Sequence, residues 1–489
     1  MAGLDKDGFD FDKDGFEKAG RATGTEVVDV AVLGGGPGGY VAAIRAAQLG
    51  AKVCVVEEDE LGGTCLNRGC IPTKAMAASA ALVDAFARGA ELGVTADGVS
   101  VDFGRVQAHK AEVVGRLVKG IHQLFKKHSI RLLKGRGRLL SPHELVVEAS
   151  SAADGPIEVQ FRSLIVATGS SPSVPPVFGY DGSVVLTSDE ALELTTVPKG
   201  LVVIGGGVIG CEFATIFREL GSEVTVVEVL PSILSLLDAD VSRQMQGFLK
   251  KRGIEVLTNQ KVVRVDKTAG DAAASVVLES GRTLEADVVL ISVGRRANTA
   301  DIGLEAAGVA VDSRGEIPVD ERQRTSVPHV YAVGDATATP FKLAHVASRQ
   351  GIVAAENILG HDAVMDYGAV PSVVFTLPEA AGVGLTEAQA REKGLAIKTA
   401  KFFFLGNGKA LAAAESEGFA KLVALADTGR LVGGHIISAA ASSLVAEIAL
   451  AIRLGATAKQ VAETIHAHPT LPEAVMEAAE GIYGQTIHA

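Results

Sequence analysis

The chain of 489 residues is 47% hydrophobic and 21% charged, which excludes a chain too polar to bury a core. Its formal charge of −12 excludes a surface built to wrap nucleic acid or to lie on an anionic membrane. Four cysteines in this length exclude a disulfide-stapled secreted scaffold, so a closely spaced pair points to catalysis or metal binding.

At roughly 100–200 residues per domain the length suggests about three domains. The 56 glycines, the richness in Ala and Val and the absence of Trp describe a glycine-turned α/β protein. No segment reads as a membrane span: the most apolar long stretch, Ile436–Ile452, carries Glu447 and several Ser and is expected to be a buried helix. The N-terminus has neither an apolar signal core nor an Arg-rich transit character, so the cytoplasm is expected.

Residues 1–26 stand apart. Asp5-Lys-Asp-Gly-Phe9 recurs as Asp12-Lys-Asp-Gly-Phe16, and Asp10, Asp12, Asp14 and Gly15 match the opening of a calcium loop. The twelfth loop position would be Arg21, where a bidentate Glu is needed, so the segment is expected to be a solvated acidic tail.

From Val27 the texture changes. Val27–Leu33 is a β-like run ending in Gly34-Gly-Gly-Pro-Gly-Gly39. An Ala-rich helical stretch follows to Gly50, then a second β-like run, Lys52–Val56, ends at Glu57. The same pattern returns at mid-chain as Leu201–Ile204, Gly205-Gly-Gly-Val-Ile-Gly210, a helix with Phe213, Ile216, Phe217 and Leu220 on one face, then Glu223–Val227 and Glu228. Gly34, Gly36 and Gly39 form one GxGxxG, and Gly205, Gly207 and Gly210 a second. Alone the pattern is weak in so glycine-rich a chain. Here each copy follows a strand and opens a helix, and the acid arrives at the same offset both times. The first Gly makes the turn, the second admits a pyrophosphate, the third lets helix meet strand, and the carboxylate binds a ribose diol. Two nucleotide-binding units are expected, and Glu228, followed by Val229-Leu-Pro with no Arg, favours NAD(H) over NADP(H).

Cys65-Leu-Asn-Arg-Gly-Cys70 has neither the spacing nor the second ligand pair of a zinc site, so no metal is expected. Ile71-Pro-Thr-Lys-Ala75 starts a helix, which puts Cys70 at a helix N-terminus, where a thiolate is stabilised, with Lys74 one turn on. Cys54, inside a β-run, and Cys211, after the second fingerprint, read as structural. From about Pro371 the chain alternates short apolar strands with two Ala-rich helical stretches, as in a separate α+β domain. Near its end His468 and Glu473 pair a base with a carboxylate able to orient it.

Gly62-Gly-Thr-Cys-Leu-Asn-Arg-Gly-Cys-Ile-Pro-Thr-Lys74 resembles the active-site stretch of the flavin-dependent pyridine-nucleotide disulfide oxidoreductases. Ala167-Thr-Gly169 resembles that family's exit from its FAD domain, Val293-Gly-Arg-Arg-Ala-Asn298 its return from the NAD domain, and Tyr331-Ala-Val-Gly-Asp335 its second FAD fingerprint. His466-Ala-His-Pro-Thr-Leu-Pro-Glu473 is similar to the signature of the branch that oxidises dihydrolipoyl groups. Mercuric-ion reductases carry a further C-terminal Cys pair that this chain lacks, and glutathione reductases, which prefer NADPH, have Arg where this chain has Glu228 and Val229.

The resemblance implies an α/β fold with two Rossmann-like FAD- and NAD-binding domains and a C-terminal α+β dimerisation domain. Residues 27–172 and 299–368 would bind FAD, 173–298 NAD, and 369–489 would form the interface of a homodimer. It implies a redox disulfide between Cys65 and Cys70, with His468 and Glu473 as catalytic base and its partner. It implies FAD contacts from Gly34, Gly36, Gly39, Glu57, Gly63, Thr64, Lys74, Gly137, Thr168, Gly169, Asp335, Ala344 and His345. NAD contacts would come from Gly205, Gly207, Gly210, Glu228 and Gly294, and Glu212 would support Lys74. The implied partner is the lipoyl domain of an acyltransferase or a similar lipoyl protein. A reductase of another small disulfide, or a chiefly structural subunit docked on a multienzyme core, are the alternative readings. Arg68 where the family usually has Val, Pro472 where Ser is commoner, and residues 1–26 depart from the pattern.

Overall fold

The computed structural model describes residues 25–149, 155–267 and 273–488. The acidic repeat and its calcium-loop reading lie outside them, apart from Thr25 and Glu26, which open the first strand. The chain forms two compact units. One comprises residues up to Leu61, His122–Gly169 and Thr299–Val364; the other comprises Gly62–Ile121, Ser170–Asn298 and Met365 onward.

The first unit is built on a parallel sheet in which Thr25–Leu33 lies between Val53–Glu57 and Ile157–Val166. Val330–Ala332 extends it on one side and the first half of Arg131–Ser141 on the other. Central strands buried on both faces read as unbroken apolar runs, and Val30, Ala31 and Val32 are fully buried. At Gly135, with φ +148°, Arg131–Ser141 changes partner and continues as an antiparallel meander with Glu144–Ala149 and Ile157–Val166. The helices Pro37–Gln48 and Ala344–Ile358 pack so closely that a Cβ on Gly351 would stand 2.3 Å from the Gly38 carbonyl oxygen.

In the second unit a parallel sheet runs Glu255–Leu257, Glu223–Val227, Gly200–Ile204, Val288–Ile291, Val185–Leu186. Helix Val208–Glu219 buries Phe213, Ile216 and Phe217, the face expected from their spacing. A ribbon pairs Ser170–Pro172 with Arg295–Ala297. The C-terminal sheet is antiparallel, ordered Pro371–Val374, Glu379–Gly384, Leu431–Ser438, Phe419–Leu425, Ile397–Phe403.

Two expectations change here. The stretch Ile436–Ile452 is not one helix: Ile436 and Ile437 end the strand Leu431–Ser438, and the helix is Ala441–Arg453. The β-branched pair finds cross-strand partners in Ala381 and Ala380, which outweighs its continuity with the helix. The C-terminal segment also holds short helices beside Ala441–Arg453 and Glu473–Gly481. Glu387–Glu392 and Ala458–Glu463 each begin with a Thr-x-x-Gln capping box, and Gly408–Ala412 is capped by Asn407.

Among the described residues, Gly63–Leu92 is helical stretch enough, and apolar enough, to meet the length and composition of a membrane span. It holds Lys74, paired with Glu212, and Asp84, paired with Arg252.

Candidate active site

In the first unit the fingerprint sits at the carboxyl edge of the parallel sheet. Leu33 is in register with Val56 and Val166, and Ala332 with Val166, so Gly34, Glu57, Thr168, Gly169 and Asp335 converge on one edge. Gly34 has φ +105°, and a Cβ on Gly39 would meet the Gly34 carbonyl oxygen at 1.9 Å, so only glycine fits either place. Gly36 precedes helix Pro37–Gln48 without a side-chain cap, leaving first-turn N–H groups for an anion. The buried Glu57 carboxylate accepts from Gly35 N–H at 2.6 Å and Asp59 N–H at 2.8 Å. Gly137 sits under this edge, where a Cβ would press to 2.4 Å from Leu33 Cδ1. Asp335 lies in the turn Gly334–Ala336, and Ala344 and His345 open the helix that follows.

The second unit repeats the device. Gly205 has φ +110°, a Cβ on Gly210 would lie 2.0 Å from the Gly205 carbonyl, and nothing stands within 4 Å of one on Gly207. That open space before an uncapped helix N-terminus suits close approach by a pyrophosphate. The buried Glu228 carboxylate accepts from Gly206 N–H at 2.6 Å and Leu230 N–H at 2.7 Å, while Val229 and Leu230 are exposed beside it. Gly294, φ +119°, precedes the ribbon strand Arg295–Ala297. Ser292 is a residue that sequence reasoning missed. Its hydroxyl reaches the carbonyls of Ile204 and Gly205 at 3.0 Å and so holds the fingerprint turn.

The cysteines occupy consecutive helices of the second unit. Cys65 lies in Gly63–Asn67, with Gly63 and Thr64, and Cys70 opens Cys70–Gly89. Both are thiols. The Cys65 S–H donates to the Cys70 sulfur, and this lowers the Cys70 thiol to about 7 against the opposing effect of burial, with Lys74 adding to the lowering. The same bond, together with burial, pushes the Cys65 thiol far up. Lys74 Nζ is 2.8 Å from Glu212 Oε2 and 4.5 Å from the centroid of the Phe375 ring. Glu212, buried, also accepts from Phe375 N–H at 2.9 Å. Burial raises Cys54 to about 12 and holds Cys211 above its ordinary range, so neither is a nucleophile near neutrality. Arg68 acts on Asp189, whose carboxyl burial raises while Arg295 and Arg68 oppose it.

His468 Nδ1 stands 2.9 Å from Glu473 Oε1, and Glu473 Oε2 accepts from Thr470 N–H at 2.8 Å. Burial works against the Glu473 charge, but the Thr470 amide and the His468 ring hold its pKa below the ordinary value. An ionised Glu473 fixes the proton on Nδ1 and leaves the Nε2 lone pair of an exposed ring as the basic site.

The family model described as pyridine nucleotide-disulphide oxidoreductase matches residues 28–351, and that family's dimerisation domain matches residues 370–479. The chain belongs to the pyridine nucleotide-disulphide oxidoreductase family. It is 44% identical to a dihydrolipoyl dehydrogenase of Chlamydia muridarum over 93% of this chain and 96% of that protein. It is 44% identical to one of Geobacillus stearothermophilus over 94% and 96%. Among solved structures, LpdA of Mycobacterium tuberculosis superposes with a TM-score of 0.87 at 30% identity, covering 93% of this chain and all of that one. The flavoprotein disulfide reductase RclA of Escherichia coli follows at 0.82 and 26%, covering 92% and 99%.

The family uses FAD and NAD(H). The two glycine cradles, each with a buried acid beside an uncapped helix end, fit two dinucleotides. The dimerisation domain makes this family member a homodimer, and its segment exposes Leu450, Leu454 and Ile465, apolar surface of the kind a partner covers.

Proposed function

We propose that this homodimer is a dihydrolipoyl dehydrogenase that reoxidises dihydrolipoyl groups carried by a lipoyl domain of a 2-oxo-acid dehydrogenase complex or a similar lipoyl protein. The observation that carries the reading is the pair Cys65 and Cys70, hydrogen-bonded to each other at the N-terminus of helix Cys70–Gly89, where that bond and Lys74 lower the Cys70 thiol. In the oxidised enzyme the two would form one disulfide, and Cys70 would be its better leaving group.

His468 Nε2 removes a proton from one dihydrolipoyl thiol, and the resulting thiolate attacks Cys65 Sγ. An S–S bond forms to Cys65 while the Cys65–Cys70 bond breaks, and Cys70 departs as a thiolate stabilised by Lys74 and the helix N-terminus. Once the imidazolium has given its proton to solvent, His468 deprotonates the second substrate thiol, which attacks the substrate sulfur of the mixed disulfide. That step releases Cys65, which recovers a proton, and closes the lipoyl disulfide. Glu473 stabilises the imidazolium during each transfer. In this reading the base facing a given disulfide is His468 of the partner subunit. FAD, when bound, carries the electron pair from the dithiol on to NAD+. Gly34, Gly36, Gly39, Glu57, Gly137, Thr168, Gly169, Asp335, Ala344 and His345 would hold FAD, joined by Gly63, Thr64 and Lys74. Gly205, Gly207, Gly210, Glu228 and Gly294 would hold NAD. Residues 27–172 with 299–368, 173–298 and 369–489 are the proposed FAD, NAD and interface domains, and the cytoplasm is the proposed compartment.

The test is direct. Purified yellow protein given dihydrolipoamide and NAD+ should form NADH. Failure to do so, with NADH-driven reduction of a different small disulfide instead, would sink the assignment.

The cofactor preference has its own check. A 2′-phosphate would meet the buried Glu228 carboxylate with the exposed apolar Val229 and Leu230 following it, so NAD+ should be favoured over NADP+ by at least about tenfold, or ~1.4 kcal/mol. Equal kcat/KM for the two nucleotides would refute the role given to Glu228. Glu228→Gln combined with Val229→Arg should narrow the gap.

A further inference from the structure

Lys421 is an ammonium in the core of the second unit, and the proposed chemistry makes no use of it. Its side chain is 2% exposed. It lies 2.9 Å from Asp238 Oδ1, 2.8 Å from Asp240 Oδ2 and 2.9 Å from Glu387 Oε2. Burial works against the charge, and the three carboxylates more than offset it, so the pKa of Lys421 lies above its ordinary value.

The three acids are not equally dependent on it. Asp240 also pairs with Lys401 at 2.6 Å and Arg243 at 3.2 Å, and Glu387 with Arg391 at 2.9 Å. Asp238 is as buried as Lys421, and its other hydrogen bonds come from the backbone N–H groups of Asp240 and Glu387. Lys421 is therefore the cation hydrogen-bonded to Asp238; the buried His435 also favours the Asp238 charge, but burial disfavours the charged form of that ring.

Asp238 has a particular place in the chain. It caps helix Ala239–Lys251 and ends the segment that starts at Glu228. That segment folds back onto the glycine turn: Leu234 N–H donates to the Gly206 carbonyl at 2.8 Å, and a Cβ on Gly206 would lie 2.6 Å from Ile233 Cγ2. Leu234 holds φ +48°, a left-handed conformation that is unfavourable for a residue with a side chain and persists only where its surroundings impose it. On the far side of Leu234, its carbonyl accepts from the Ser242 hydroxyl at 3.0 Å, in the first turn of the helix that Asp238 caps.

We infer that Lys421 is a positioning residue for nucleotide binding: by anchoring Asp238 it holds residues 229–237 against the Gly205–Gly210 turn and so sets the place of the Glu228 carboxylate. The inference rests on the reading of that turn and Glu228 as the NAD site. Sequence could not reveal it, because Lys421 and Asp238 are 183 residues apart.

The test uses the FAD-loaded dimer and ADP-ribose as the probe, with binding followed by calorimetry well below the melting temperature. Lys421→Met should weaken ADP-ribose binding by about tenfold, or ~1.4 kcal/mol. Lys421→Arg, which keeps the charge, should recover most of the loss. The KM for NAD+ should rise with the dissociation constant while kcat at saturating NAD+ changes little. A lowered melting temperature with unchanged ADP-ribose affinity would make Lys421 merely structural and overturn the inference. If Lys421→Met fails to accumulate, Asp238→Asn decides in the same way, since it removes the charge and keeps the cap. Glu228→Gln separates the two levels. If it weakens binding and Lys421→Met does not, the inference alone falls. If neither weakens binding, the NAD reading falls and the inference with it.

Discussion

His468→Gln is expected to slow dihydrolipoamide oxidation by roughly 10²–10⁴-fold, the usual worth of a positioned base. Glutamine keeps a polar side chain of similar reach but cannot take the proton. Without it, attack on Cys65 must wait for the small fraction of substrate already ionised. Electron exchange between nicotinamide and flavin moves no proton through this ring, so NADH oxidation by artificial flavin-reactive acceptors should be largely intact. Glu473→Gln should cause a smaller loss of the same kind. It orients Nδ1 from 2.9 Å without carrying the proton, and its link to Thr470 N–H can survive as an amide oxygen. Raising the pH should partly rescue His468→Gln, because the substrate thiolate then forms without a base. Equal impairment of both activities would make His468 a structural residue of the interface domain, and the catalytic assignment would be withdrawn.

What was legible in the sequence was what local chemistry demands. Gly39 and Gly210 are required because a Cβ would meet a carbonyl about one turn back, and that constraint is written as a short motif. Cys70 and Lys74 share one helix face, so the contribution of Lys74 to the thiolate can be read from spacing. His468 and Glu473 are five residues apart, close enough for their pairing to be read directly. The structure adds what depends on distant partners. Glu212 meets Phe375 N–H across 163 residues, and Arg252 joins Asp84 across 168, linking the redox helix to the end of helix Ala239–Lys251. No periodicity encodes either pair. The stretch Ile436–Ile452 was misread for a related reason. A short apolar run is ambiguous between strand and helix until a partner strand is known, and Ala380 and Ala381 lie more than fifty residues earlier.

The same contrast between local and distant partners bears on the redox pair, where two variants with one kinetic outcome should differ in their titration. Cys65→Ala and Cys70→Ala each destroy the disulfide, so each should abolish dihydrolipoamide oxidation, a loss on the order of 10⁵–10⁶-fold, the scale seen when a covalent nucleophile is removed. The sulfur left behind reports its own surroundings. In the intact reduced protein Cys70 titrates at about 7, chiefly because the Cys65 thiol donates to it, with burial opposing and Lys74 assisting. Cys65→Ala removes the leading contribution, so the remaining Cys70 should titrate clearly above 7, while Lys74 still holds it below a thiol that is buried alone. Lys74→Met should move it in the same direction by a smaller step. In Cys70→Ala the shift has the opposite sign. The bond to Cys70 was the largest influence raising Cys65, so its pKa should fall, yet burial should keep it above an ordinary thiol. Thiolate absorbance near 240 nm, followed against pH in each variant, reads both shifts. If Cys70 still titrated at about 7 after Cys65→Ala, the hydrogen bond between the sulfurs would not be what lowers it. The helix N-terminus and Lys74 would then have to supply the whole effect, and Lys74→Met should show the larger shift.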